Sequence, residues 1–63
     1  MLPVNIGDII IYNGKDKGMV IGFGWSNPNT PQRRQYAIVR MLNNGKDKKV
    51  HFCRIGHEWR KGY

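Results

Sequence analysis

The stretch Gly7-Asp8-Ile9-Ile10-Ile11-Tyr12-Asn13-Gly14-Lys15-Asp16-Lys17-Gly18-Met19-Val20-Ile21-Gly22 decides the fold. Its first apolar run, Ile9 to Tyr12, is β-branched and aromatic throughout, the composition of a strand. Asn13 to Gly18 is a glycine-punctuated polar turn. A second apolar run then extends from Met19 to Trp25. Strand, turn and strand make a hairpin. Within the second strand Gly22 and Gly24 stand two apart and are expected on one side, with Met19, Ile21, Phe23 and Trp25 on the other. Glycines inside a strand mark a bulge, a sharp bend or the close approach of another chain. A sheet that closes into a small barrel needs such bends.

Beyond this hairpin, Ser26 to Arg34 contains two prolines, two asparagines and two arginines and reads as a loop stiffened by Pro28 and Pro31. Gln35 to Leu42 is the third strand and Lys49 to Ile55 the fourth. Between them, Asn44-Gly45 is expected at a tight hairpin turn. Residues 56–63 leave room for a turn and one short final strand. No helix of useful length, repeat or linker is apparent. A small antiparallel sheet escapes its edges by curling. The reading is an all-β, five-stranded, SH3-like barrel, one domain spanning residues 1–63. A chain of 63 residues buries only about 60% of its unfolded surface. Its stability then comes from closure of the sheet or from a partner subunit, and a homo-oligomer is compatible with its size.

Two family resemblances bear on this reading. Gly7-Asp8-Ile9-Ile10-Ile11-Tyr12 followed by Lys17-Gly18-Met19-Val20-Ile21-Gly22 resembles the KOW pattern of ribosomal proteins and transcription elongation factors. That likeness implies an SH3-like barrel in contact with RNA, DNA or a nucleic-acid machine. Gly18-Met19-Val20-Ile21-Gly22-Phe23, Ser26-Asn27, Thr30-Pro31 and Tyr36-Ala37-Ile38 are similar to the plasmid-borne type II dihydrofolate reductases, also SH3-like barrels. The signature of those enzymes is Val-Gln-Ile-Tyr, and the matching stretch here is Val50-His51-Phe52-Cys53. Histidine replaces the ligand-gripping glutamine and cysteine the tyrosine, while the lysine of the first strand falls at Tyr12. The resemblance thus implies the shape without the active site, and fold alone carries no function.

Charge gives the functional direction. The net charge is +7. Residues 1–30 are balanced, with Lys15 and Lys17 against Asp8 and Asp16. Residues 31–63 carry Arg33, Arg34, Arg40, Lys46, Lys48, Lys49, Arg54, Arg60 and Lys61 against Asp47 and Glu58 alone. So lopsided an excess points to a polyanion, and among polyanions to nucleic acid. Arg33 and Arg34 offer planar forks for phosphate oxygens. Lys46, Lys48 and Lys49 lie at the hairpin, and Arg40 and Arg54 flank it. Pairing strands three and four is expected to gather most of these on one side. The competing use of such charges is solubility and protection of a sheet edge. Trp25, Tyr36 and Trp59 are candidates for base stacking. Core packing competes for each, because so small a barrel has few large residues to fill it. Trp25 borders the arginine loop and ranks first. With few free stacking platforms, a duplex or structured target is expected before a single strand.

Catalytic and metal chemistry find little support. His51 and Cys53 are expected to share a strand face with His57 beyond a turn, but three candidate ligands without a carboxylate fall short of a structural zinc set. Cys53 reads as a buried thiol and the two imidazoles as partly exposed. The scattered acids offer no acid–base pair, and no activated nucleophile appears. The expectation is a non-enzyme without cofactor or metal. A lone cysteine, residues 1–5 that lack an export signal, and the absence of any run near the roughly 20 apolar residues of a membrane span fit a soluble cytoplasmic protein without membrane contact. Three consecutive isoleucines raise a rival reading. Ile10 and Tyr12 take one strand face and Ile9 and Ile11 the other, so one pair is either covered by the C-terminal tail or exposed for a protein partner. Such a module would dock, like a small phage or accessory factor, on transcription or replication machinery.

Overall fold

A computed structural model describes residues 4–62. Its strands are β1 (Ile9–Tyr12), β2 (Asp16–Ser26), β3 (Arg34–Met41), β4 (Asp47–His51) and β5 (Trp59–Lys61), with one 3-10 turn at Phe52–Arg54. All five belong to one antiparallel sheet in the order β4-β3-β2-β1-β5. The domain is all-β and five-stranded, as the residue pattern predicts. Among the described residues the edge strands β4 and β5 share no ladder. The 3-10 turn and a single parallel bridge, Ile55 to Trp59, carry the chain from one to the other. No helix is long and apolar enough to cross a membrane.

The hairpin turns use their Asn-Gly pairs differently. At the β1–β2 turn both Asn13 (φ 50°) and Gly14 (φ 71°) are left-handed, and the Lys15 N–H donates to the Tyr12 carbonyl at 2.9 Å. This is the tight turn with two positive φ angles that a right-twisted hairpin favours. At the β3–β4 turn only Gly45 is left-handed (φ 70°). The expected tight turn at Asn44-Gly45 is therefore replaced by a wider connection. The Gly45 N–H reaches back to the Met41 carbonyl and the Met41 N–H to the Lys46 carbonyl, both at 2.8 Å. Asn44 Oδ1 accepts the Lys46 N–H at 2.9 Å, so this asparagine acts through its side chain.

The fourth strand is shorter than its sequence suggests. It stops at His51, and residues 52–54 coil into the 3-10 turn. Leaving the ladder lets Phe52 meet Phe23 edge to face, ring centroids 5.8 Å apart, against the core. That core consists of Val4, Ile10, Val20, Ala37, Val39, Met41, Val50 and Trp59. The valine, isoleucine and methionine side chains among them each contribute on the order of 1.5–3 kcal/mol when withdrawn from water.

A bulge in β2 sets which residues reach this core. Gly18 pairs with Met41 and Val20 with Val39, but the next pairs are Gly22 with Ile38 and Phe23 with Ala37. The extra residue, Ile21, resets the two-residue period. Val20 before the bulge and Phe23 after it both face inward. Met19, paired with Arg40, is left on the outer face with Gly22 and Gly24. Met19 thus does not share a face with Phe23 and Trp25, contrary to the simple alternation. The sheet also curls strongly. Lys48 of β4 pairs with Val39, and its Nζ lies 6.0 Å from the Tyr12 ring of β1, three strands along the sheet.

Gly18 is buried opposite Met41. A methyl there would collide with Val39 Cγ1 and stand 3.1 Å from Met41 Sδ and 3.2 Å from the Arg40 carbonyl oxygen. Val39 is β-branched and cannot swing aside freely. Gly18→Ala should therefore destabilise the domain by about 1–3 kcal/mol. Urea unfolding followed by circular dichroism checks this; an unchanged midpoint would contradict the packing described.

Candidate nucleic-acid interface

The loop joining β2 to β3, residues 27–33, is pinned by its own polar groups. Asn27 is left-handed (φ 51°), and its carbonyl accepts from the Thr30 hydroxyl at 3.0 Å and from the Thr30 N–H at 3.2 Å. Thr30 Oγ1 accepts the Gln32 N–H, and the Thr30 carbonyl the Arg33 N–H, each at 3.2 Å. This scaffold sets Arg33 beside the end of β2, its Cζ 5.4 Å from the centre of the Trp25 ring. Trp25 is 48% exposed. Arg34, next in sequence, belongs to β3 and pairs with Ser26, whose hydroxyl donates to the Arg34 carbonyl at 3.2 Å. Trp25 pairs with Gln35, one position on, so alternation sends the Arg33–Trp25 pair and Arg34 to opposite faces.

The outer face of β2, β3 and β4 holds a second cluster. The register aligns Gly24, Tyr36 and His51 in one row, and Ile38 and Lys49 in the next. Gly24 leaves room for Tyr36: a Cβ there would lie 2.7 Å from three outer atoms of that side chain, Oη included. His51 meets the Tyr36 ring edge to face with centroids 5.7 Å apart. Its Nε2 is 3.2 Å from Ser26 Oγ. Lys49 Nζ lies 5.3 Å from the Tyr36 ring centre. Further along, Arg40 Nε donates to Asp47 Oδ1 at 3.0 Å. This hydrogen bond, and then the carboxylate's charge, hold the guanidinium pKa above its ordinary value.

The cations thus do not gather on one side as hairpin pairing suggested. Arg34, Arg40 and Lys49 take the outer face, Lys48 turns toward Tyr12 across the curl, and Lys46 lies in the exposed β3–β4 connection. Arg54 sits on the 3-10 turn with Nη1 3.2 Å from Glu58 Oε1. Cys53 lies on the same turn and is exposed, so it neither shares a strand face with His51 nor forms a buried thiol. Among the described residues no three His, Cys, Asp or Glu side chains stand close enough to hold a metal ion. An open cleft of about 360 Å³ between the β1–β2 turn and β5 is lined by Asn13, Gly14, His57, Glu58 and Arg60.

Ile9 and Ile11 lie on the outer face of β1 and are half-buried. The Gly62 N–H donates to the Ile9 carbonyl at 2.8 Å. A Cβ on Gly62 would fall 3.1 Å from Ile9 Cγ2 and 3.2 Å from Ile11 Cγ1, so the backbone leaving β5 lies against both side chains. Ile11 pairs with Lys17 and Arg60, and Ile9 with the partly exposed Met19.

The candidate aromatics separate cleanly. Trp59 is buried against Tyr12 with ring centroids 4.9 Å apart. Tyr36 is lodged between Gly24, His51 and Lys49, and Trp25 is exposed. Sequence reasoning missed the Tyr36–His51–Lys49–Ser26 cluster, although Gly24 inside a strand signalled that something approached it closely. No protein-family model, curated protein or solved structure matches this chain.

The two tryptophans should be distinguishable in solution. In Trp25→Phe the remaining emission, from buried Trp59, should be blue-shifted and resist acrylamide. Emission in the unsubstituted protein should be quenched readily. Equal quenching of both proteins would contradict the exposure assigned to Trp25.

Proposed function

We propose that this domain binds nucleic acid, DNA or structured RNA, without catalysis and largely without sequence preference. Contact runs through the loop at 31–34, the hairpin at 43–49 and the flanking Arg40 and Arg54. One observation carries the reading. Of the cations in residues 31–63, only Arg40 and Arg54 have a carboxylate within ion-pair distance among the described residues. Arg33, Arg34, Lys46, Lys48 and Lys49 are exposed without one. Phosphates supply the missing anions. Each one neutralised releases counterions, and this gives affinity without reading the bases. Arg33, Arg34 and Lys46 serve as phosphate contacts, Trp25 as a surface for bases, and Lys49 as a contact from the outer face.

A second reading, docking on a protein of the transcription or replication machinery, draws on one feature. Met19, 37% exposed, extends the Ile9 and Ile11 surface. Ile9→Lys and Ile11→Lys test it: an interface would lose its partner in a pull-down, while phosphate binding would not weaken.

Binding should fall steeply with salt, by about 0.9 logarithmic units per phosphate contact on duplex DNA. Replacing Arg33 and Arg34 together with alanine should reduce that slope by roughly two contacts, with similar losses across sequences. Lys15→Ala, in the charge-neutral half, is the control and should matter less. Asp47→Asn should act in the opposite direction. It releases Arg40 and raises the net charge by one, so affinity should increase and the slope steepen by up to about 0.9. Fluorescence anisotropy at two salt concentrations measures all of these. Absence of salt-dependent binding to duplex DNA, single-stranded DNA and RNA overturns the proposal.

A further inference from the structure

We infer that Trp25 and Arg33 form a seat for one unpaired nucleotide, the base stacking on the indole and the neighbouring phosphate meeting the guanidinium. This rests on the nucleic-acid reading and specifies what part of the polymer is held. A ring that stacks on a base must offer a face, and the aromatic side chains differ sharply in this respect. Trp59 is buried in the core and packed on Tyr12. Tyr12 lies between Trp59 and Lys48. Phe23 and Phe52 pack on each other against the core. Tyr36 covers Gly24 and is flanked by His51 and Lys49. Among these rings Trp25 alone is exposed.

Exposure of a large indole on so small a domain calls for a use, and its position supplies one. Trp25 lies on β2 beyond the reach of β4, whose pairing with β3 stops at Tyr36. β4 therefore does not cover it. The loop that follows brings Arg33 to the ring, its backbone held by the Asn27 and Thr30 hydrogen bonds. The Arg33 guanidinium lies over one face of the indole, so a base takes the part of the ring that stays exposed, and a stacking plane and a phosphate-binding fork stand together before any ligand arrives. These are the two groups that an unpaired nucleotide presents together. Bases in an intact duplex are stacked on one another and offer no face to an indole. Lys46, Lys48, Lys49 and Arg34 bind phosphates of either form, so the discrimination rests on Trp25. The expectation of a duplex target, drawn from a shortage of free platforms, gives way here to an exposed strand or loop.

The test compares three oligonucleotides of equal length: single-stranded oligothymidylate, the same strand with abasic sites, and a duplex. Anisotropy gives affinities at fixed salt, and tryptophan emission reports contact with Trp25. The thymidylate should bind tightest and quench the emission. Trp25→Ala should weaken its binding roughly ten-fold, the scale of one lost stack. Trp25→Phe should retain most of the affinity. Neither substitution should alter binding to the abasic strand or the duplex by more than about two-fold. Equal affinity of the native protein for thymidylate and abasic strands overturns the nucleotide seat and leaves phosphate binding intact. So does a Trp25→Ala loss of equal size on the duplex. Salt-independent or absent binding to all three overturns both readings. Thermal unfolding of Trp25→Ala and Trp25→Phe separates a misfolded variant from a lost contact, and the native protein's preference for thymidylate over the abasic strand decides the matter if the alanine variant is unstable.

Discussion

The single inserted residue at Ile21 is the constraint on which the rest of this domain depends. Without it, the 11-residue strand β2 would keep one parity from Asp16 to Ser26. Val20 and Phe23 could not then both face the core. With it, Val20 packs on Val39 in the first half of the strand and Phe23 on Ala37 and Phe52 in the second. The same shift places Gly22 and Gly24 outside, where Tyr36 settles across the bare backbone of Gly24. A bulge also increases the local twist, and the sheet curls enough to bring Lys48 of β4 over Tyr12 of β1.

Alternation governs the surface as strictly as the core. Lysines 48 and 49 are neighbours in sequence, yet one ammonium lies over Tyr12 and the other over Tyr36. Arg33 and Arg34 are divided in the same manner at the loop end. The basic half of the chain therefore wraps the sheet instead of forming a single plane of charge. Two of its cations are tied to carboxylates at the surface, Arg40 to Asp47 and Arg54 to Glu58. Such exposed pairs add little to folding, and their main consequence is to leave the remaining cations without protein anions. A polymer with phosphates along its length suits charge distributed over a curved surface better than a small anion does.

The C-terminal segment completes the sheet and its core. Leaving the ladder after His51, the 3-10 turn inserts Phe52 against Phe23 and delivers Trp59 to the core beside Tyr12. Strand β5 then covers the free edge of β1, and Gly62 lies against Ile9 and Ile11. These isoleucines are thereby half-withdrawn from water. The large apolar side chains left exposed among the described residues are Ile6, Met19, Trp25 and Leu42, not the isoleucines of β1.

The sequence by itself determined the strand content, the existence of the first hairpin and the imbalance of charge, although the turn read over Asn13–Gly18 is centred on the two residues Asn13-Gly14 and β2 starts at Asp16. These are local or additive properties: β-branched runs favour extended backbone, Asn13-Gly14 accepts positive φ, and net charge is a sum. It also singled out Trp25 as the aromatic nearest the arginine loop. Only the tertiary structure decided which faces those residues occupy. A bulge is one residue long and depends on how β2 fits β3, so periodicity alone could not place Met19 outside or Phe23 within. The early end of β4 likewise follows from a contact distant in sequence, Phe52 with Phe23, while the wider turn around Asn44-Gly45 rests on bonds among residues 41–46. Cys53 read as buried because small thiols usually are; it is exposed because Phe52 took the inward position on the 3-10 turn. The pairing of Arg33 with Trp25 required a loop folded on the Thr30 hydroxyl, and no spacing rule links residues 25, 30 and 33 until the chain has turned back on itself.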